Sequence, residues 1–174
     1  MADVLREGPR DRGSEDWREP RAHLHLRSLS PPTGLHGAQT GLIESLRELA
    51  DDGPLEDLAV STWGNRLCRC ETCLGTDPGA QTDERLADYR EWAARASGTV
   101  ELPFESTTIR SEFTGETHEA IVPPQVGLAV SDGGRLRGVF PCEVDGRLFT
   151  VEAAVGALES VLTDRRSMPV DTSP

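Results

Sequence analysis

A chain of 174 residues is long enough for one domain with a proper core and too short for two comfortable ones. It carries 30 acidic against 18 basic side chains, a net charge of -12, and every basic one is arginine because the chain contains no lysine. That balance makes the chain an unpromising binder of polyphosphate backbones, since non-specific affinity comes from cationic contacts, and any DNA contact needs a local arginine patch.

Residues 1–21 mix Arg, Asp, Glu, Gly and Pro with almost nothing apolar, so they cannot offset the entropy of ordering and are expected to be a disordered tail. His23 to Leu29 alternates polar and apolar at period two, which marks a strand. After the breaker Ser30-Pro31-Pro32-Thr33-Gly34, Leu42, Leu46 and Leu49 recur at helical spacing until Asp51-Asp52-Gly53-Pro54 stops them. Leu58 to Trp63 reads as a second strand, giving a βαβ unit with parallel strands and a right-handed crossover. The cysteine loop Cys68-Arg69-Cys70-Glu71-Thr72-Cys73 follows. A second helix is expected to open at Thr82-Asp83-Glu84, with Leu86, Tyr89, Ala93 and Ala96 as its buried stripe.

Val100 to Phe104 begins an extended region that turns at Phe113-Thr114-Gly115-Glu116 and returns through Ile121-Val122. The strand ending at Val130 turns at Asp132-Gly133-Gly134 into Arg135 to Phe140, a favoured hairpin signal. A last helix is capped by Thr150 and striped by Val151, Val155, Leu158 and Leu162, and residues 165–174 are expected to be a flexible tail. The elements make a single α/β domain over residues 22–164, in the order β-α-β-α, a hairpin, then β-β-α.

No apolar run nears the roughly twenty residues that span a bilayer. The first 21 residues lack the apolar centre of a secretory signal. The expectation is a soluble, cytoplasmic protein with no membrane partner. In a reducing compartment, clustered cysteines point to metal or free thiols rather than disulfides. Acidic excess with arginine as the only cation fits a halophile, whose proteins stay dispersed by self-repulsion; a GC-rich genome explains the arginine equally well.

This element order resembles the thioredoxin-like fold: a strand runs through Ser-Pro-Pro-Thr-Gly into a helix, Pro124 precedes the strand of the final hairpin, and an amphipathic helix ends the domain. A ferredoxin-like α+β arrangement, with Arg66-Leu67-Cys68 as a short extra strand, is the alternative. The thioredoxin-like resemblance implies a functional edge at Ser30 to Gly37, where ligands sit in α/β folds. Ser30, Thr33 and His36 are the candidate ligand-binding residues of that loop. Trp63 and Arg66, leaving the neighbouring strand, are candidates to line a pocket beside it. The loop has no cysteine, so thiol-disulfide exchange there is not expected.

A second resemblance is carried by LHLRSLSPPTG, VSTWGNRL, YREWAARASGTVELPFE, TGETHEAIVPPQVGLAV and GRLRGVFPC. These phrases look like a group of haloarchaeal proteins described as helix-turn-helix domain-containing, and the resemblance implies DNA binding or transcriptional regulation. Such a motif needs two consecutive helices joined by a short turn. Here each expected helix before the last is followed by a strand.

Cys70 and Cys73 form one C-x2-C pair of the kind zinc uses, with Cys68 and the distant Cys142 as the further ligands of a four-thiolate site. The alternative is a solvent loop with incidental cysteines and Cys142 as an apolar filler. His23 and His25 share one face of the first strand, as chelators or as polar outward residues of a terminal strand. Trp63 and Trp92 fall at positions expected to face the core. No phosphate loop, Ser-His-Asp pattern or H-E-x-x-H is present. The leading expectation is a non-enzymatic regulatory or binding protein, associated with DNA or with a protein partner. A metal- or thiol-responsive protein using the cysteines competes with it, and an enzyme built on the first loop ranks third.

Overall fold

The computed structural model describes residues 17–167 except 31–33, 35, 52, 97 and 113–114, and the side chains only as far as residue 163. β1 (Pro20–Leu26), α1 (His36–Asp51) and β2 (Asp57–Thr62) form the βαβ unit, with β1 and β2 paired in parallel. β7 (Val126–Asp132) pairs antiparallel with β1, and β8 (Arg135–Phe140) pairs with β7, so the main sheet runs β2-β1-β7-β8. Gly133 and Gly134 join the last two strands with φ of 55° and 80°, the left-handed pair that a tight two-residue hairpin demands.

Two three-stranded sheets flank this one. β4 (Val100–Glu101), β9 (Cys142–Val144) and β10 (Arg147–Phe149) lie in the order β10-β9-β4. β3 (Leu67–Cys68), β5 (Glu105–Arg110) and β6 (Thr117–Val122) lie in the order β3-β6-β5. The short strand at Leu67 therefore exists, but it pairs with β6 and does not extend the main sheet. The helices after α1 are the single turn α2 (Glu71–Leu74), α3 (Asp77–Arg95) and α4 (Val151–Ser167). Together they make one mixed α/β domain.

Strand alternation gives β1 two chemically different faces. Leu24 and Leu26 are fully buried in a cluster with Leu42 and Leu46 of α1, Leu128 of β7, and Val155, Leu158 and Leu162 of α4. His23 and His25 point the other way, where the His25 ring meets Tyr89 of α3. The main sheet is thus covered on both sides, and β1 is an interior strand rather than a terminal one.

Two expected boundaries move. Order begins before residue 22: Trp17 is buried, with the Arg137 guanidinium over its ring at 5.7 Å, and the Asp132 carboxylate accepts the backbone N–H groups of Arg18 and Glu19, each at 2.8 Å. Composition hid this because one tryptophan and one distant carboxylate suffice to hold the segment. The remaining residues of the two expected tails, 1–16 and 168–174, lie outside the described residues. α3 likewise starts at Asp77 rather than Thr82, because Thr76 accepts the Gly79 N–H as an N-cap and Pro78 occupies the first turn, where a missing N–H costs nothing.

Burial pulls the Asp132 pKa upward, but the Glu19 and Arg18 amides and the Arg137 guanidinium, 3.0 Å away, outweigh it and hold the carboxyl below its usual range. Asp132→Ala leaves these donors unmet and should cost about 2 kcal/mol. A urea titration followed by tryptophan fluorescence checks it, with amide exchange at Arg18 and Glu19 rising more than at Leu24.

Candidate functional site

The first constellation lies on the α3 face of the sheet. His23 and His25, two apart on β1, bring their rings to 4.0 Å, and both reach the hydroxyl of Ser61 on β2: His23 Nε2 at 2.8 Å and His25 Nδ1 at 3.0 Å. His25 Nε2 meets the Tyr89 hydroxyl at 2.6 Å. Ser61 has one hydroxyl proton, so donating to one imidazole obliges it to accept from the other. Trp63 stacks on His25 at 4.6 Å, donates its indole N–H to the Pro124 carbonyl at 3.2 Å, and meets the edge of Phe104.

Burial, then the neighbouring His23 and Arg85, lowers the His25 pKa to about 3; burial and Arg85 lower that of His23 to about 4. Desolvation also pushes the Tyr89 phenol upward. The two histidines are thus not outward polar residues of a terminal strand: His25 has both ring nitrogens engaged, by Ser61 and Tyr89, and His23 has its Nε2 engaged by Ser61. The adjoining cavity, lined by His23, Trp63, Pro78, Gln81 and Arg85, holds about 240 Å³. That is below the roughly 300–1,000 Å³ of ligand clefts.

Among the described residues, those expected around the first loop line no common pocket. Ser30 and His36 are exposed, Thr33 lies outside the described residues, and Arg66 is exposed beyond β2. Trp63 is on the α3 side of the sheet, because its ring lies over Gly127 and His25. Trp92 is buried as expected. The cleft that does open beside the start of α1 is apolar, about 500 Å³, and lined by Gln39, Leu42, Leu102, Pro124, Cys142 and Val151 among others. The sequence offered no sign of it, since its walls come from five separated segments.

The second constellation is the cysteine corner. One sulfur from each of Cys68, Cys70 and Cys73 falls within 4.8 Å of the others. Cys68 ends β3, Cys70 precedes α2 and Cys73 lies inside it. Arg69, between the first two, ties the corner down: its guanidinium reaches Asp83 of α3 at 2.8 Å and Glu119 of β6 at 3.6 Å, and its backbone N–H donates to the Glu119 carbonyl. A Cβ on Gly79 would lie 1.9 Å from the Cys73 carbonyl oxygen, so only glycine lets the first turn of α3 close over the loop.

The Cys73 backbone N–H, and then the Cys68 and Cys73 thiols, hold the Cys70 pKa below the ordinary thiol value, whereas hydrogen bonding to Cys70 and Cys68 pushes Cys73 up to about 12. Cys142 does not join this group. It is fully buried in the core on β9, where burial pushes its thiol up to about 12.

Gly75 and Thr76 alone separate α2 from α3, so two helices do follow one another without an intervening strand. Sequence reasoning missed this because α2 is a single turn with no apolar period. No curated protein and no solved structure matches the chain. A family model described as a helix-turn-helix domain matches residues 14–162, nearly the whole described fold, and the chain belongs to that helix-turn-helix domain family.

Proposed function

We propose that this chain is a non-enzymatic regulatory protein that works in association with DNA, held there mainly by a protein partner. The observation that carries the reading is the family match over residues 14–162. The α2-turn-α3 succession supports it, being the element order that the motif requires. The charge of α3 limits how it operates. The helix carries five carboxylates against three arginines, so it is poorly suited to lie along phosphates in a major groove. Direct contact with DNA is therefore restricted to a few arginines.

The strand order β2-β1-β7-β8 and the helices on both faces favour a thioredoxin-like scaffold. It serves binding rather than thiol exchange, because Ser30, Gly34, His36 and Gly37 stand where that chemistry would need cysteine. Cross-linking in native cells, followed by sequencing of recovered fragments, should enrich discrete genomic sites. The purified protein should bind the same duplexes weakly, with a log–log salt slope corresponding to only about one to three phosphate contacts. Recovery of no fragment above background would remove the proposal.

A further inference from the structure

We propose that Cys68, Cys70 and Cys73 bind one zinc ion through three thiolates, with the fourth position open to water or to a donor from outside the domain. Tetrahedral zinc with bonds of about 2.3 Å sets its sulfurs roughly 3.8 Å apart. The three sulfurs already lie within 4.8 Å of one another, so side-chain rotation of about an ångström closes the site. The donor set is all sulfur, which selects a thiophilic cation over magnesium or calcium.

The backbone that carries the sulfurs is fixed in advance. Arg69 links it to α3 and β6, the Thr76 hydroxyl donates to the Cys73 carbonyl at 2.7 Å, and Gly79 admits that carbonyl against the helix. The metal does not have to order the loop, so its removal should leave the fold standing, unlike a structural zinc in a small finger. A Cys70–Cys73 disulfide would leave the convergence of Cys68 unexplained.

Three protein ligands with one vacancy are the pattern of exchangeable or reactive zinc rather than of closed structural sites. On binding, each thiol that becomes a thiolate releases its proton to solvent, and no electron is transferred.

The full chain, reduced and with its four free thiols verified by titration, is titrated with cobalt(II) and then zinc(II). One cobalt per chain should give the intense sulfur-to-metal charge-transfer band and tetrahedral visible bands, both bleached by one equivalent of zinc. Cys70→Ser and Cys73→Ser should each weaken binding on the order of a hundredfold, whereas Cys142→Ser should leave it unchanged. The thermal midpoint of the metal-free protein should stay close to that of the loaded form.

A pale, six-coordinate cobalt spectrum in the wild-type chain would overturn the assignment. So would an affinity that Cys70→Ser and Cys142→Ser alter equally. Neither outcome involves DNA, so this site and the regulatory reading stand or fall separately.

Discussion

Taken from neutral pH to about pH 3, the protein should lose roughly 4 kcal/mol of folding stability through His25 alone. The folded chain keeps this imidazole neutral down to about 3, because burial and then the neighbouring His23 and Arg85 oppose a charge there, whereas an unfolded chain protonates it near 6.5. As pH falls the unfolded state takes up the proton first. The contribution is therefore complete above 6.5 and is lost between 6.5 and 3. His23, lowered to about 4, acts in the same direction, with a smaller share because it is only half-buried. Asp132, held below its usual range, adds to the loss at the acid end.

The chain's pI is near 4.7, so its net charge vanishes inside this window and self-repulsion is least there. Instability at that pH cannot come from accumulated charge. Urea titrations at a series of pH values measure the effect. In the double variant His25→Leu/Tyr89→Phe, which removes both partners of the 2.6 Å hydrogen bond, most of the slope should disappear. A stability curve that stays flat down to pH 4, or one that the double variant leaves unchanged, would refute the account.

Gly127→Ala should cost about 3 kcal/mol. Gly127 pairs with His25 across the sheet and faces the same side. A Cβ there would sit 2.5 Å from Trp63 Cη2 and 2.8 Å from Cζ2. The indole cannot simply withdraw, since it is held by the Pro124 carbonyl, the His25 ring and the edge of Phe104. The strain should therefore depend on the ring. In a Trp63→Leu background the same substitution should cost under about 1 kcal/mol, giving a large interaction energy in the double-mutant cycle. Strictly additive losses would show that the ring is not what forbids a side chain at 127.

Much of the fold was legible because its signals were local. The alternation at His23–Leu26, the leucines of α1, the Gly133-Gly134 turn and the Thr150-capped last helix all correspond to observed elements. What stayed hidden depends on pairing at a distance. That β1 lies between β2 and β7 decides that His25 is buried, and no feature of residues 20–26 encodes it. The link from Asp132 to the Arg18 and Glu19 amides spans more than a hundred residues.

The cysteine corner was half legible. The C-x2-C spacing and the reach of Cys68 are local, and they converge as the spacing suggests. Whether the hairpin before Cys142 brings that sulfur to the corner depends on pairing at a distance, and the topology places it in the core instead, as the apolar filler of the alternative reading.

The two faces of β1 bear on how the domain comes apart. Hydrocarbon meets hydrocarbon on the side of α1 and α4, while the seam against α3 sets imidazole, hydroxyl and phenol among the buried Leu86 and Trp92. Of the two, it is the second seam that holds the histidines acid would charge, so an acidified molecule should loosen at α3 before it loosens at the leucine layer. Because Arg69 grips α3 through Asp83, the loosening helix pulls directly on the loop that carries the three sulfurs.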